Sequence, residues 1–275
     1  MSPLEAVRQA EARLAESLVP SPRVDAELLV AHVLGLSRTG IYANGRVVSP
    51  GEADQLGVLV ARRAEREPLA YVLGEWGFRR LSLHVDDRVL VPRPETEVVV
   101  ERCLELIVDL EAPAVLDVGT GSGAIALAIA DEHPGAKVVA VDSSTDALAV
   151  AKENVRRHGL ERRVELGESD LLAGVSGTFD LVVSNPPYVS PRERSALEPE
   201  VRDFEPVLAV VGVEVADRIA GEALRLLRHG GWIVLECGDN QAAGLAGTLR
   251  RLGYDRVTVS PDLGGVDRVV EGRVP

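Results

Sequence analysis

The sequence predicts an α/β fold: a mostly parallel sheet covered by helices and finished by an antiparallel last strand, with a small helical domain and a β-hairpin ahead of it. Three features carry this expectation. Helical and strand-like patterns alternate from residue 94 onward, the rhythm of a parallel sheet with helical crossovers. A glycine-rich run, Gly119-Thr120-Gly121-Ser122-Gly123, joins the first strand of that series to its helix. Residues 3–67 instead repeat apolar positions at helical spacing, with few strand-like alternations.

With 275 residues, 46% of them hydrophobic, the chain can bury a sizeable core. A usual domain size of roughly 100–200 residues leaves room for two units. The expected boundaries are a helical domain over 1–75, a hairpin connector over 76–92 and an α/β domain over 93–275. Lys+Arg 30 against Asp+Glu 43 leaves a net charge of −13, so the molecule as a whole repels phosphate backbones and anionic membranes. Neither a direct nucleic-acid partner nor a membrane is therefore expected. Cys103 and Cys237 show no Cys-x-x-Cys or Cys/His ligand spacing and read as buried, reduced thiols. No basic stretch with an apolar signal core opens the chain, and no run approaches the ~20 apolar residues of a membrane helix. A cytoplasmic protein is expected.

In the first domain, Leu4, Val7, Leu14 and Leu18, then Val24, Leu28, Leu29 and His32, follow helical spacing. Ser21-Pro22 and Ser49-Pro50-Gly51-Glu52 each set a capping hydroxyl before a proline suited to the first helical turn, and Glu52 completes a capping box. The second of these helices should end near Glu67-Pro68. From 76 to 91, Phe78, Leu81, Leu83 and Val85 alternate with polar residues, and Asp86-Asp87 is the expected hairpin turn. Helices are then expected over 95–110, 124–132, 146–158, 215–227 and 241–252. Strands are expected over 114–118, 137–142, 164–167, 179–184, 232–236, 256–260 and 268–272. The short return between the last two implies an antiparallel pair.

The glycine run lies at the carboxyl end of the first parallel strand, where doubly wound sheets bind nucleotides. Glycine permits the tight turn and lets a ligand approach the backbone. Asp142, ending the next strand, stands near the ~20-residue offset of a ribose-binding acid. Asp117 either fixes the turn by accepting hydrogen bonds or faces a cationic ligand. The same pattern also satisfies a dinucleotide fingerprint.

A second motif, Ser184-Asn185-Pro186-Pro187-Tyr188, follows the apolar strand 179–183 and would open on the same crevice. Consecutive prolines end the strand and fix the directions of the Asn185 and Pro186 carbonyls. An NH₂ group offers two donors, one for the Asn185 side-chain oxygen and one for the Pro186 carbonyl. Tyr188 can stack on the planar group that carries this nitrogen. An amide nitrogen is a poor nucleophile, and holding both hydrogens lets it pyramidalise toward an activated methyl, so catalysis comes from positioning. A sulfonium donor needs neither a metal nor a nucleophilic triad, and His32, His84, His133, His158 and His229 are scattered without ligand spacing.

On these motifs the chain resembles the bacterial peptide-chain release factor glutamine N5-methyltransferases over nearly its whole length. The resemblance rests on Asp117 through Gly123 and on Asn185-Pro186-Pro187-Tyr188. It extends to Pro68-Leu69-Ala70-Tyr71, Gly74-Glu75, Phe78, the run Val91-Pro92-Arg93-Pro94-Glu95-Thr96-Glu97, and Phe204-Glu205-Pro206. It implies a class I, Rossmann-like methyltransferase sheet and S-adenosylmethionine as cofactor, with S-adenosylhomocysteine as product. Class 1 release factors are the implied partner, modified at the glutamine of their Gly-Gly-Gln loop to modulate translation termination. It further implies cofactor contacts from Asp117, Gly119, Thr120, Gly121, Ser122, Gly123, Asp142, Asp170, Leu171 and Asn185. Asn185, Pro186, Pro187 and Tyr188 would hold the glutamine, with Asn185, Pro186 and Tyr188 as the catalytic set. Leu171, Val210 to Glu214, and Cys237 to Gln241 depart from the family's usual pattern.

Three other readings compete. A DNA or RNA adenine-N6 methyltransferase presents the same kind of NH₂ to Asn-Pro-Pro-Tyr, but the net charge and the lack of a basic recognition domain oppose it. An NAD-dependent dehydrogenase would need an acid or base near the nicotinamide instead of a Pro-Pro turn. A non-catalytic binding module would have no use for an intact Asn185 and Tyr188. The helical domain is the expected site of protein-substrate recognition.

Overall fold

Helical periodicity in the amino-terminal residues becomes α1 (Pro3–Glu16), α2 (Pro22–Leu34), α3 (Arg38–Ala43), α4 (Pro50–Ala64) and α5 (Leu69–Leu73) in the computed structural model, which describes residues 1–43 and 45–275. Their shared face buries Val7, Leu14, Leu29, Val30 and Ile41, and each large side chain so buried contributes roughly 1.5–3 kcal/mol. Capping boxes start α1 at Ser2–Glu5 and α4 at Ser49–Glu52. Ser21, expected to cap α2, makes no such bond, because its backbone (φ −128°, ψ 58°) is not extended. The helix from Pro50 stops at Ala64, short of Glu67, and Arg66 turns left-handed at φ 68°.

These helices form one compact unit, Met1–Glu75, to which a distant piece of chain, Glu198–Phe204, also belongs. That piece is a short π-helical turn. Its Glu200 accepts from Arg63 at 2.8 Å and from Arg66 at 2.7 and 2.6 Å. Arg63 is itself buried and donates to Asp25 at 2.7 Å and to the Glu67 carbonyl at 3.0 Å. A buried guanidinium requires such a set of acceptors.

The second unit comprises Trp76–Leu197 and Glu205–Pro275. Strands β1 (Glu75–Phe78) and β2 (Leu81–His84) form the hairpin. Its turn is Arg79-Arg80, not Asp86-Asp87. Arg79 takes φ 50°, with its amide donating to Glu97 (2.9 Å) and its guanidinium to Glu132 (2.8 Å). Asp86 binds Arg88 instead. The hairpin is tied into this unit by Asn154, which donates to the His84 and Ser122 carbonyls (2.9 Å each) and accepts from the His84 amide (2.7 Å).

After α6 (Pro94–Ile107) come β3 (Ala114–Val118), α7 (Ala124–Glu132), β4 (Lys137–Asp142), α8 (Thr145–Arg157), β5 (Val164–Glu168) and β6 (Phe179–Ser184). Then follow α9 (Val207–Val210), α10 (Val215–Ala223), β7 (Leu227–Glu236), α11 (Ala242–Leu252), β8 (Asp255–Pro261) and β9 (Asp267–Arg273). The sheet order is β5-β4-β3-β6-β7-β9-β8. β5 through β7 are parallel, and β9 runs antiparallel to both β7 and β8. The chain leaves β3 toward β4 on one side and returns as β6 on the other, which makes the carboxyl ends of β3, β4 and β6 the switch point. Every residue of β6 is buried, as expected of a central strand covered on both faces. β7 starts earlier than expected, at Leu227, while α10 ends earlier, at Ala223. Phe179 pairs with Leu227, and the register then shifts before Leu181 meets Trp232.

Candidate active site

Three strand ends and one helix start build the site. Gly119, Gly121 and Gly123 all take positive φ, 72°, 55° and 85°, a conformation costly to residues with a Cβ. The amides of Gly119 and Thr120 donate to the Val141 carbonyl at 2.8 and 3.0 Å, tying the loop to β4. Asp142 reinforces this by accepting from Gly121 N and Ser144 N, at 2.9 Å each. Below the loop, Asp117 is fully buried and accepts from the Thr120 hydroxyl at 2.7 Å. Burial pushes its carboxyl up to about 7, against the pull of the Thr120 bond.

A cavity of ≈ 510 Å³ opens at this switch point. Of the residues singled out in the sequence, Gly119, Gly121, Asp142, Asp170, Leu171, Asn185 and Pro187 line it. Asp117, Thr120, Ser122 and Gly123 do not. Thr120 and Ser122 are buried, and they brace the loop from behind through Asp117 and Asn154. Asp117 Oδ2 thus holds a hydrogen bond within the turn, while its Oδ1 is buried without a hydrogen-bond partner among the described residues. Leu171 holds φ 51°. Arg88 and the segment Pro206 to Ala209 also line the cavity, and neither was legible as site material in the sequence.

Asn185 follows β6 directly, and the Ser184 hydroxyl clasps the Val118 carbonyl at 2.6 Å, so the two motifs are joined at their bases. Asn185 donates through Nδ2 to Thr96 Oγ1 at 3.1 Å, and Thr96 in turn donates to Glu236 at 2.7 Å. Tyr188 and Pro187 line a second cavity of ≈ 500 Å³, with Glu236, Cys237, Asn240 and Gln241. Pro187 therefore borders both hollows. Gln241 Nε2 holds the Tyr188 carbonyl at 3.0 Å, while its Oε1 accepts from Gly238 N at 3.1 Å. Burial raises the Tyr188 phenol to about 12, so the ring stays neutral.

The family-typical segments 91–97 and 204–206 meet in one ion pair. Arg93 donates to both oxygens of Glu205 at 2.6 and 2.7 Å. Glu205 is buried, and desolvation holds its carboxyl above the usual range despite Arg93. This pair anchors the start of the cavity wall at Pro206. Among the segments that depart from the family pattern, Gly212 stands against Pro187, where a Cβ would meet the ring at 2.8 Å. Glu214 adopts φ 64°, a backbone suited to glycine.

The open face of the glycine loop, the acid at the end of β4 and a cavity of this size fit an adenosyl cofactor, with no Cβ at Gly119 or Gly121 to fill the approach. Fold and site together define an S-adenosylmethionine-dependent methyltransferase. Residues 97–200 match the family described as the methyltransferase small domain, and residues 5–74 the PrmC N-terminal domain. The chain is 44% identical over 272 residues to the release factor glutamine methyltransferase of Deinococcus radiodurans, covering 96% of each chain. It is 42% identical over 267 residues to that of Geobacter sulfurreducens, covering 95% of this chain and 93% of the other. It belongs to the release factor glutamine methyltransferase family. Among solved structures, the hMettl16 catalytic domain with MAT2A 3′UTR hairpin 6 has a similar fold, with TM-score 0.60 and 17% identity over 83% of this chain and 85% of that one. So has the Thermus thermophilus 16S rRNA N2 G1207 methyltransferase with AdoMet and guanosine, with TM-score 0.55 and 18% identity over 73% of this chain and 50% of that one. Among the described residues, no helix is long and apolar enough to cross a membrane.

Proposed function

We propose that this chain transfers a methyl group from S-adenosylmethionine to the side-chain amide nitrogen of the glutamine in the Gly-Gly-Gln loop of class 1 release factors. The observation that carries the reading is Asn185, directly after β6 and ahead of Pro186-Pro187-Tyr188, lining a glycine-walled cavity at the switch point. The relatives' names supply the substrate class.

When bound, the cofactor supplies an electrophilic methyl. Gly119 and Gly121 would admit it close to the backbone, and Asp142, Asp170 and Leu171, which line the same cavity, would hold its adenosyl part. Asn185 Oδ1 and the Pro186 carbonyl each accept one hydrogen of the substrate amide, turning its lone pair toward the methyl. Tyr188 covers the flat face of that amide. The helical unit, residues 1–75, selects the protein partner.

Labelled S-adenosylmethionine offered with an intact release factor, with its Gly-Gly-Gln glutamine changed to alanine, and with duplex DNA separates the readings. Label is expected on the intact factor alone. Label on DNA would replace this reading with an adenine-N6 activity, and no label on any of them would leave a binding module. In the same assay, a chain lacking residues 1–75 should need far more release factor for half-maximal rate. An unchanged requirement would remove the helical unit from recognition.

A further inference from the structure

Asn185 can serve as an acceptor for a substrate NH₂ only if its carboxamide keeps Oδ1 outward, because the other orientation would present a second NH₂ to the substrate's own donors. Nothing in the Asn-Pro-Pro-Tyr motif sets that choice. The side chains behind it do.

The geometry points to Thr96 and Glu236 as positioning residues that lock the Asn185 carboxamide with its oxygen toward the substrate. This rests on the reading of Asn185 given above. Thr96 sits in the first turn of α6, and Glu236 ends β7. Both are buried, Thr96 at 4% and Glu236 at 1% exposure. An ionised carboxylate can only accept, so the Thr96 hydroxyl proton is committed to it at 2.7 Å. The Thr96 oxygen can then only accept from its other partner, Asn185, whose Nδ2 lies 3.1 Å away. The donor end of the carboxamide is thereby fixed inward. Its Oδ1 has no partner among the described residues and is the open acceptor. Three strands and helices thus converge on one amide orientation, and the direction of the chain of bonds is set by a single negative charge.

Protonation would reverse that direction. A neutral Glu236 can donate to Thr96, which frees the Thr96 hydroxyl to donate to Oδ1 and lets the carboxamide turn over. Burial raises the Glu236 carboxyl to about 7. The charged groups facing it are Arg268 from β9, Arg93 and Glu95 at the start of α6, and the neutral Tyr188 phenol lies near. The two arginines favour the ionised form and Glu95 opposes it.

The test compares Thr96→Val, Thr96→Ser, Glu236→Gln and Asn185→Ala in the full chain, using S-adenosylhomocysteine affinity, the kcat and KM of methyl transfer to a class 1 release factor, and the pH profile of kcat. Thr96→Val and Glu236→Gln are expected to lower kcat about 10- to 100-fold, the cost of a misplaced reacting group, with cofactor affinity and KM held. Thr96→Ser, which keeps the hydroxyl, should restore the rate. The parent's kcat should fall as pH drops through about 7, and Glu236→Gln should lose that limb. Parental kcat in Thr96→Val and Glu236→Gln, with Asn185→Ala impaired, would overturn this proposal alone. Parental kcat in Asn185→Ala would overturn the reading beneath it. Cofactor affinity lost in step with kcat in both variants would overturn it in favour of a structural role.

Discussion

Single side chains decide what the Asn-Pro-Pro-Tyr motif can do. Gly212 illustrates this from the far side of Pro187, since a Cβ there would stand 2.8 Å from the ring and 3.0 Å from the Pro187 carbonyl. A proline ring has no rotamer by which to withdraw, so the backbone carrying the Pro186 acceptor must move. Gly212→Ala is expected to lower turnover by roughly tenfold or more, with S-adenosylhomocysteine binding little changed. Equal turnover of variant and parent would mean that the Pro-Pro turn yields without losing its geometry. The motif residues were legible in the sequence because each carries its own local reason, in glycine turns and proline-fixed carbonyls. Thr96, Glu236 and Asn154 were not, because their hydrogen bonds reach across 89, 140 and 70 residues of chain.

At the scale of elements, the ion pair of Arg93 with Glu205 joins the start of α6 to the stretch that becomes the cavity wall. Glu205 is buried, and removing Arg93 takes away the cation paired with it. Arg93→Ala is expected to cost about 3 kcal/mol and to weaken cofactor binding, read from denaturant midpoints and calorimetry. Unchanged cofactor affinity would show that the wall stands without the pair. Strands β3, β4 and β6 were legible to the residue, being apolar runs bounded by turns. β7 was legible only from Trp232, because Arg228-His229-Gly230-Gly231 reads as a turn, although Gly231 packs against the Phe179 and Asp180 carbonyls, where a Cβ would stand at a crowded 3.2 Å from each. The hairpin turn was misplaced for a related reason. Asp-Asp is a better turn sequence than Arg-Arg, and only the distant acceptors Glu97 and Glu132 make Arg79 the better corner.

Across the whole molecule, buried carboxyl groups shape the response to pH. Asp117 and Glu236 titrate near 7 in the folded protein and near 4 when unfolded. Between those values the folded state holds the extra protons, so their contribution to stability falls as pH rises. Glu27 works in the opposite sense: Tyr42 and Arg38 hold it down at about 2, and its contribution is lost as pH falls toward that value. Both tryptophans, Trp76 and Trp232, lie in the second unit, so their fluorescence follows the unfolding of the part that contains Glu236. Between pH 5 and 8, the stability of Glu236→Gln relative to the parent should improve by up to about 3 kcal/mol. A constant difference over that range would mean that Glu236 titrates as an ordinary surface acid. The division into a helical part and an α/β part was legible from periodicity, but the membership of Glu198–Phe204 in the helical unit was not. A five-residue π-helical turn has no period to detect, and its partner Arg63 lies 137 residues away.

That membership bears on the order in which the protein is made. A ribosome synthesising at roughly 5–20 residues per second releases Arg63 and Arg66 well before Glu200, and the interval amounts to roughly 7–27 s. During it the helical unit lacks Glu200, and its Arg63 and Arg66 have only the acceptors Asp25, the Glu67 carbonyl and the Leu18 carbonyl. The amino-terminal part of the chain, the first to emerge, therefore gains its Glu200 ion pairs only after β3 to β6 of the sheet have been translated.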